Sequence, residues 1–164
     1  MPTEPQKALV RRFIEEVWNQ GDLAVISQVL APDFVLHDPT TPRYKTRLDY
    51  EQLVSVYRRA FPDLRCAIEE QLAERNLVMT WWGMQGTHRG PLFGYAPTER
   101  HVRFTGISLN LIRDGQIAEA RINWDALGLF QQLGIVPNIG LAQAVAQPIG
   151  IGSVVGPQSE LRAH

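Results

Sequence analysis

The sequence predicts an α+β fold in which helices cover one face of a curved antiparallel sheet, and three observations carry that prediction. Apolar residues recur at helical spacing as far as Phe61, broken by one short strand signal. After Leu64 the apolar period shortens to that of a strand, and successive strand signals follow, the last two joined by the hairpin dipeptide Asp114-Gly115. A closing helical run then ends at Gly134. A sheet covered by helices on one face tends to leave a cavity between the two layers.

Each element has its own local cause. In residues 5–20, Leu9, Val10, Phe13, Ile14, Val17 and Trp18 form one helical face, with Thr3 as the expected N-cap and Gly21 as the stop. Asp22 is placed to cap a second helix whose face is Val25, Ile26, Val29 and Leu30, ended by Ala31-Pro32-Asp33. Residues 34–37 read as a short strand and 38–44 as a loop with two prolines. Asp49 and Gln52 have the polarity of a capping box, opening a helix with Leu53, Val56, Tyr57, Ala60 and Phe61 on one side; Pro62-Asp63 closes it. Leu64, Cys66 and Ile68 then alternate with Arg65, Ala67 and Glu69. A turn at Glu74-Arg75-Asn76 leads to a long strand, 77–88, and a Gly/Pro-broken loop, 89–99, leads to a strand over 100–113. Residues 116–123 pair back across Asp114-Gly115, and the last helix starts near Asp125 with Leu127, Leu129, Phe130 and Leu133.

The composition excludes several classes of function. The chain has 164 residues, 45% hydrophobic and 20% charged, enough for one globular domain over residues 1–134. Residues 135–164 lack a clean period and read as a C-terminal extension, an arm or lid rather than a second domain. A net charge of −1, with basic residues scattered, provides no field for a polyanion, so nucleic acid is not expected as a partner. Cys66 is the single cysteine, the N-terminus lacks the parts of a signal peptide, and the most apolar run is broken by Gln143, Gln147 and Pro148. The expectation is therefore a cytoplasmic protein without disulfide or membrane span.

The polar residues are sorted by strand parity. Val78, Thr80, Trp82, Met84, Gly86 and His88 share one face of their strand, and Ile117, Glu119, Arg121, Asn123 and Asp125 share one face of the last. That second set either faces water, as a half-buried strand's polar side does, or contributes to a site. Asp125, at a strand-to-helix junction, is either an N-cap or a carboxylate at the cavity mouth. His88 is either a hydrogen-bonded structural residue or a ligand contact. No two of the four histidines have ligand spacing, so no metal is expected, and no nucleophile-elbow motif is present.

Several segments carry a family resemblance. They are Val10 through Asp22, Ala31 through Pro39, and Ala60-Phe61-Pro62-Asp63-Leu64; Gly86-Thr87-His88-Arg89-Gly90-Pro91-Leu92-Phe93-Gly94 with Pro97-Thr98-Glu99-Arg100; and Asp114 through Glu119 with Trp124 through Gly134. In that order they resemble the SnoaL-like polyketide cyclases. The resemblance implies the cone-shaped α+β barrel shared with nuclear transport factor 2 and ketosteroid isomerase, an enclosed cavity, a homodimer, and cofactor-free aldol ring closure. It assigns the acid/base to Asp125 and places His37 and His88 at positions that can face the cavity. Arg121, Glu99 and the segment Ser108-Leu109-Asn110-Leu111 depart from the family pattern. The expected activity is acid/base chemistry on a hydrophobic oxygenated small molecule, of cyclase, isomerase or lyase type. Asp125 moves the proton, His88 or Arg121 holds the enolate oxygen, and His37 joins the catalytic set. Trp82, Phe104, Tyr57, Phe61, Trp18 and Glu119 contact the substrate. The alternatives are a non-catalytic binding or dimerisation module and an epoxide hydrolase.

Overall fold

A computed structural model describes residues 3–138. Helix α1 (Glu4–Arg12) runs directly into a π-helical stretch, Phe13–Asn19, whose last turn ends at Gly21 with φ +76°. Thr3 contributes its carbonyl to Lys7 N–H but makes no side-chain cap, unlike the expectation. Asp22 does cap, accepting from Ala24 N–H at 3.1 Å, and opens a short 3-10 turn (Leu23–Val25) followed by α2 (Ile26–Val29).

Strand β1 (Leu30–His37) begins earlier than its alternation suggested, because Leu30 and Ala31 are already buried in extended conformation. Helix α3 (Arg47–Ala60) also begins earlier than expected. Thr46 is its N-cap and Asp49 supplies the reciprocal bond, so the capping box sits three residues upstream of the Asp49/Gln52 reading. Phe61, at its C-terminus, is wholly buried, a contribution of about 1.5–3 kcal/mol.

The remaining strands are β2 (Arg65–Glu74), β3 (Leu77–Thr87), β4 (His101–Arg113) and β5 (Gln116–Trp124), followed by α4 (Ala126–Gln132). The five-stranded sheet has the order β1-β5-β4-β3-β2. β2 to β5 pair antiparallel, as the hairpin signals required, while β1 joins the edge parallel to β5. The early strand is separated from β5 by residues 38–115, so no local turn signal announces this pairing. Bulges in β2 and β5 bend the unclosed sheet around the helices.

One face of the sheet packs on α1, the π-helical stretch and α3, and this layer holds the apolar core. Gly106 permits the closest approach in it, since a Cβ there would collide with the Trp82 indole and Trp124 Cβ. Beyond α4, Ile135 and Val136 N–H both bond the Phe130 carbonyl. The rest of the expected extension, from residue 139, lies outside the described residues.

Candidate active site

Between the helices and the sheet lies a cavity that opens to solvent. Its walls combine aliphatic side chains with aromatic ones, among them Trp18 from the π-helical stretch, Tyr50 and Tyr57 from α3, Trp82 from β3, Phe104 from β4 and Trp124 from β5. The rings lock one another, Tyr57 edge-on to Trp18 at 6.0 Å and to Trp124 at 6.4 Å, and Phe104 tilted on Trp124 at 5.5 Å. Burial pushes the Tyr50 and Tyr57 hydroxyls above their ordinary range, so both are neutral donors at physiological pH. Burial likewise raises the Cys66 thiol, in the same wall, to about 12, leaving it uncharged and unreactive.

The polar groups of the cavity are few. On β4, Asn110 Nδ2–H donates to Ser108 Oγ at 3.4 Å, and both side chains are buried in the wall. The charged group in the lining is Asp38, at the end of β1 and 7% exposed. Thr40 N–H donates to its Oδ1 at 2.8 Å; Thr41 Oγ–H at 2.8 Å and Trp124 Nε1–H at 3.3 Å donate to its Oδ2. A carboxylate offers about four acceptor sites. Three are taken, which fixes the group and leaves one for a ligand.

The residues anticipated for the site are divided by the fold. Trp82, Phe104, Tyr57 and Trp18 line the cavity together. Phe61 lies one layer behind, its ring 6.5 Å from Tyr57. Glu119, Arg121 and His37 are on the opposite face of the sheet. There Arg121 donates to Glu119 Oε1 from Nε at 2.8 Å, and His37 Nε2 lies 3.2 Å from the same oxygen. The physical reason is a bulge at Ala118. Ile112 pairs with Ile117 and Leu111 with Glu119, so Ile117 joins Ala120, Ile122 and Trp124 on the cavity side while the charged residues face out. Asp125 is exposed and caps α4, accepting from Gly128 N–H at 2.8 Å.

His88 is fully buried outside the cavity lining, against Phe61 at 5.4 Å between ring centroids. Its Nδ1 accepts from Thr98 N–H at 3.2 Å, so the proton sits on Nε2, which has no hydrogen-bond partner. Burial lowers its pKa and keeps the imidazole neutral. It ties the ends of the 88–100 loop together. Among the described residues, no three His, Cys, Asp or Glu side chains converge as metal ligands.

Asp38 was not singled out from the sequence, yet its signal is there. Phe34, Leu36 and Asp38 alternate on one face of a strand, and all three are buried. Ser108 and Asn110 share the buried face of β4 with Phe104 by the same rule.

Comparison with known proteins agrees with this architecture. The chain is 33% identical over 139 residues to aklanonic acid methyl ester cyclase DauD of Streptomyces sp. (strain C5), covering 79% of this chain and 82% of that protein. It is 30% identical over 123 residues to nogalonic acid methyl ester cyclase of Streptomyces nogalater, covering 71% and 89%. Among solved structures it superposes on AclR from Streptomyces galilaeus with a TM-score of 0.77 at 25% identity, covering 88% of this chain and 92% of that one. The profile described as SnoaL-like polyketide cyclase matches residues 8–133, a span that runs from within α1 through α4 and holds every residue of the cavity wall, and the chain belongs to that family.

Proposed function

We propose that this protein is a cofactor-free acid/base enzyme that closes a ring in a hydrophobic, polyketide-like ester, with Asp38 moving the proton. The observation that carries this reading is a fixed, buried carboxylate in the wall of an aromatic cavity. Asp38 takes a proton from the carbon alpha to a carbonyl. Ser108 and Asn110 hydrogen-bond the enolate oxygen, the enolate carbon attacks a second carbonyl of the same molecule, and the resulting alkoxide recovers the proton from Asp38. The product is an isomer of the substrate. Aspartate paired with hydrogen-bond donors across an apolar cavity is a known arrangement for such proton transfers.

Asp38 replaces Asp125 in this role because Asp125 is exposed and engaged as a helix cap. Arg121 contributes no cation to the cavity, so the substrate's acid group is esterified: a free carboxylate beside Asp38 would pair like charges in a desolvated site. The two cyclase relatives are named for methyl esters, which agrees with this reading. A homodimer formed through the outer face of the sheet completes the proposal; Leu72, Trp81 and Ile107 stand exposed there.

The test uses aklanonic acid methyl ester and nogalonic acid methyl ester with the wild type and Asp38→Asn, followed by mass spectrometry. The wild type converts at least one ester into a product of unchanged mass, and Asp38→Asn lowers turnover by about 10²–10⁴-fold with its circular dichroism intact. A loss under about threefold in a folded variant would remove Asp38 from the mechanism. A product heavier by one oxygen atom favours hydroxylation, the activity suggested for AclR. Conversion of an aryl epoxide probe to its diol, with both esters unchanged, favours epoxide hydrolysis, and saturable ester binding without product favours a binding module.

A further inference from the structure

We infer that Phe93 is a substrate-binding residue, the outer wall of the cavity, held by a strained hairpin over the part of a multi-ring ester that emerges past Tyr57. The inference rests on the proposed function and adds a specificity element to the same site.

The hairpin is a two-residue turn. Leu92 N–H bonds the Tyr95 carbonyl at 3.0 Å and Tyr95 N–H returns to Leu92 at 2.9 Å. Its central residues, Phe93 and Gly94, have φ of +48° and +89°. Glycine adopts this backbone freely, but phenylalanine does so at a cost of about 1–2 kcal/mol. Among the described residues, the other non-glycine positions with positive φ are Arg75, Glu99 and Asp114, all charged and all in turns or loops. Phe93 alone among them puts an apolar ring on the surface, where it is 36% exposed.

The turn is anchored from behind. Leu92 is fully buried, and Arg89 and Gly90 N–H both bond the Ala60 carbonyl at the end of α3. A side chain at Gly90 would collide with the Arg59 carbonyl. The tip therefore has a fixed place, and the Phe93 ring meets Tyr57 edge-on at 5.8 Å. Tyr57 lines the cavity and is buried, while Phe93 stands outside the lining and is partly exposed. Folding alone gains from neither a strained backbone nor an exposed ring, and strained positions of this kind collect at ligand clamps. A ligand reaching beyond Tyr57 buries the Phe93 ring and offsets both costs.

The experiment titrates aklanonic acid methyl ester and nogalonic acid methyl ester while following quenching of Trp18, Trp82 and Trp124, which line the cavity. The variants are read on whichever ester the wild type binds more tightly. Asparagine tolerates positive φ. Phe93→Asn therefore keeps the turn, with Tm equal to or above wild type, and weakens binding about tenfold. Phe93→Tyr restores binding to within about twofold. Tyr95→Asn, which removes the ring facing Phe130 on the same hairpin, weakens binding by less than about threefold. Phe93→Gly, which accepts the same backbone, is read beside Phe93→Asn so that a folding defect in one variant does not decide the result. Wild-type affinity in either folded variant overturns the inference, as does an equal loss in Tyr95→Asn. Wild type that binds neither ester overturns the proposed function and this inference with it. Wild-type cyclisation with unchanged binding by Phe93→Asn overturns this inference alone.

Discussion

Two aspartates show how little residue type says about role. Asp38 and Asp125 both accept backbone N–H bonds at a strand end, at 2.8 Å in each case. Asp38 has Trp124 and the cavity beside it, whereas Asp125 has solvent and the first turn of α4. Asp125→Ala should therefore lower stability by about 1 kcal/mol, the cost of a lost N-cap, and leave ester affinity unchanged. Thermal melting and the fluorescence titration read the two quantities separately. A loss of affinity beyond about tenfold without a stability change would return Asp125 to the site. Both residues were visible as ionisable groups at strand ends, but only neighbours distant in sequence separate a cap from a cavity carboxylate.

The 88–100 loop is built around a histidine that must stay neutral. Protonating His88 turns Nδ1 from acceptor to donor against Thr98 N–H, with Glu99 the nearby anion and Arg89 the nearby cation. Its folded pKa is depressed by burial below the ordinary 6.5, so the unfolded chain binds its proton first as pH falls. The stability it contributes is complete above pH 6.5 and declines as pH drops below that value. Melting curves from pH 8 to pH 5 (an interval of roughly one unit or more either side of the ordinary histidine pKa) should show Tm falling at the acid end, with a shallower fall in His88→Gln. Equal slopes in both proteins would show that another group titrates there. Asp63, held low mainly by Thr87 N–H, acts in a separate window: its contribution persists above 3.8 and disappears only below it. The bulge at Ala118 belongs to this scale too. Period-2 parity is reliable along β3 and β4, yet one extra residue in β5 exchanges the faces of Ile117 and Glu119 relative to each other. No composition rule marks the position of such a bulge.

At the scale of the whole molecule, the sheet has two faces with different tasks. The inner face makes the cavity; the outer one pairs exposed Trp81 with exposed Ile107 across β3 and β4 and carries Leu72 beyond them. Trp81→Glu should convert the proposed homodimer into monomers in sedimentation velocity while leaving the cavity's ester affinity unchanged. Wild type that sediments as a monomer, or a variant that stays dimeric, would remove this face from the assembly. The order of helices and antiparallel strands, the aromatic character of the cavity wall and the family were legible from apolar period, turn residues and motif order, because each of these is a local property of the chain. The parallel pairing of β1 with β5, the division of Asp38 from Asp125, and the outward placement of Glu119, Arg121 and His37 were settled only by tertiary structure. Each depends on which distant strand lies alongside and in what register, and that is a consequence of packing the whole sheet around its core rather than of any one segment.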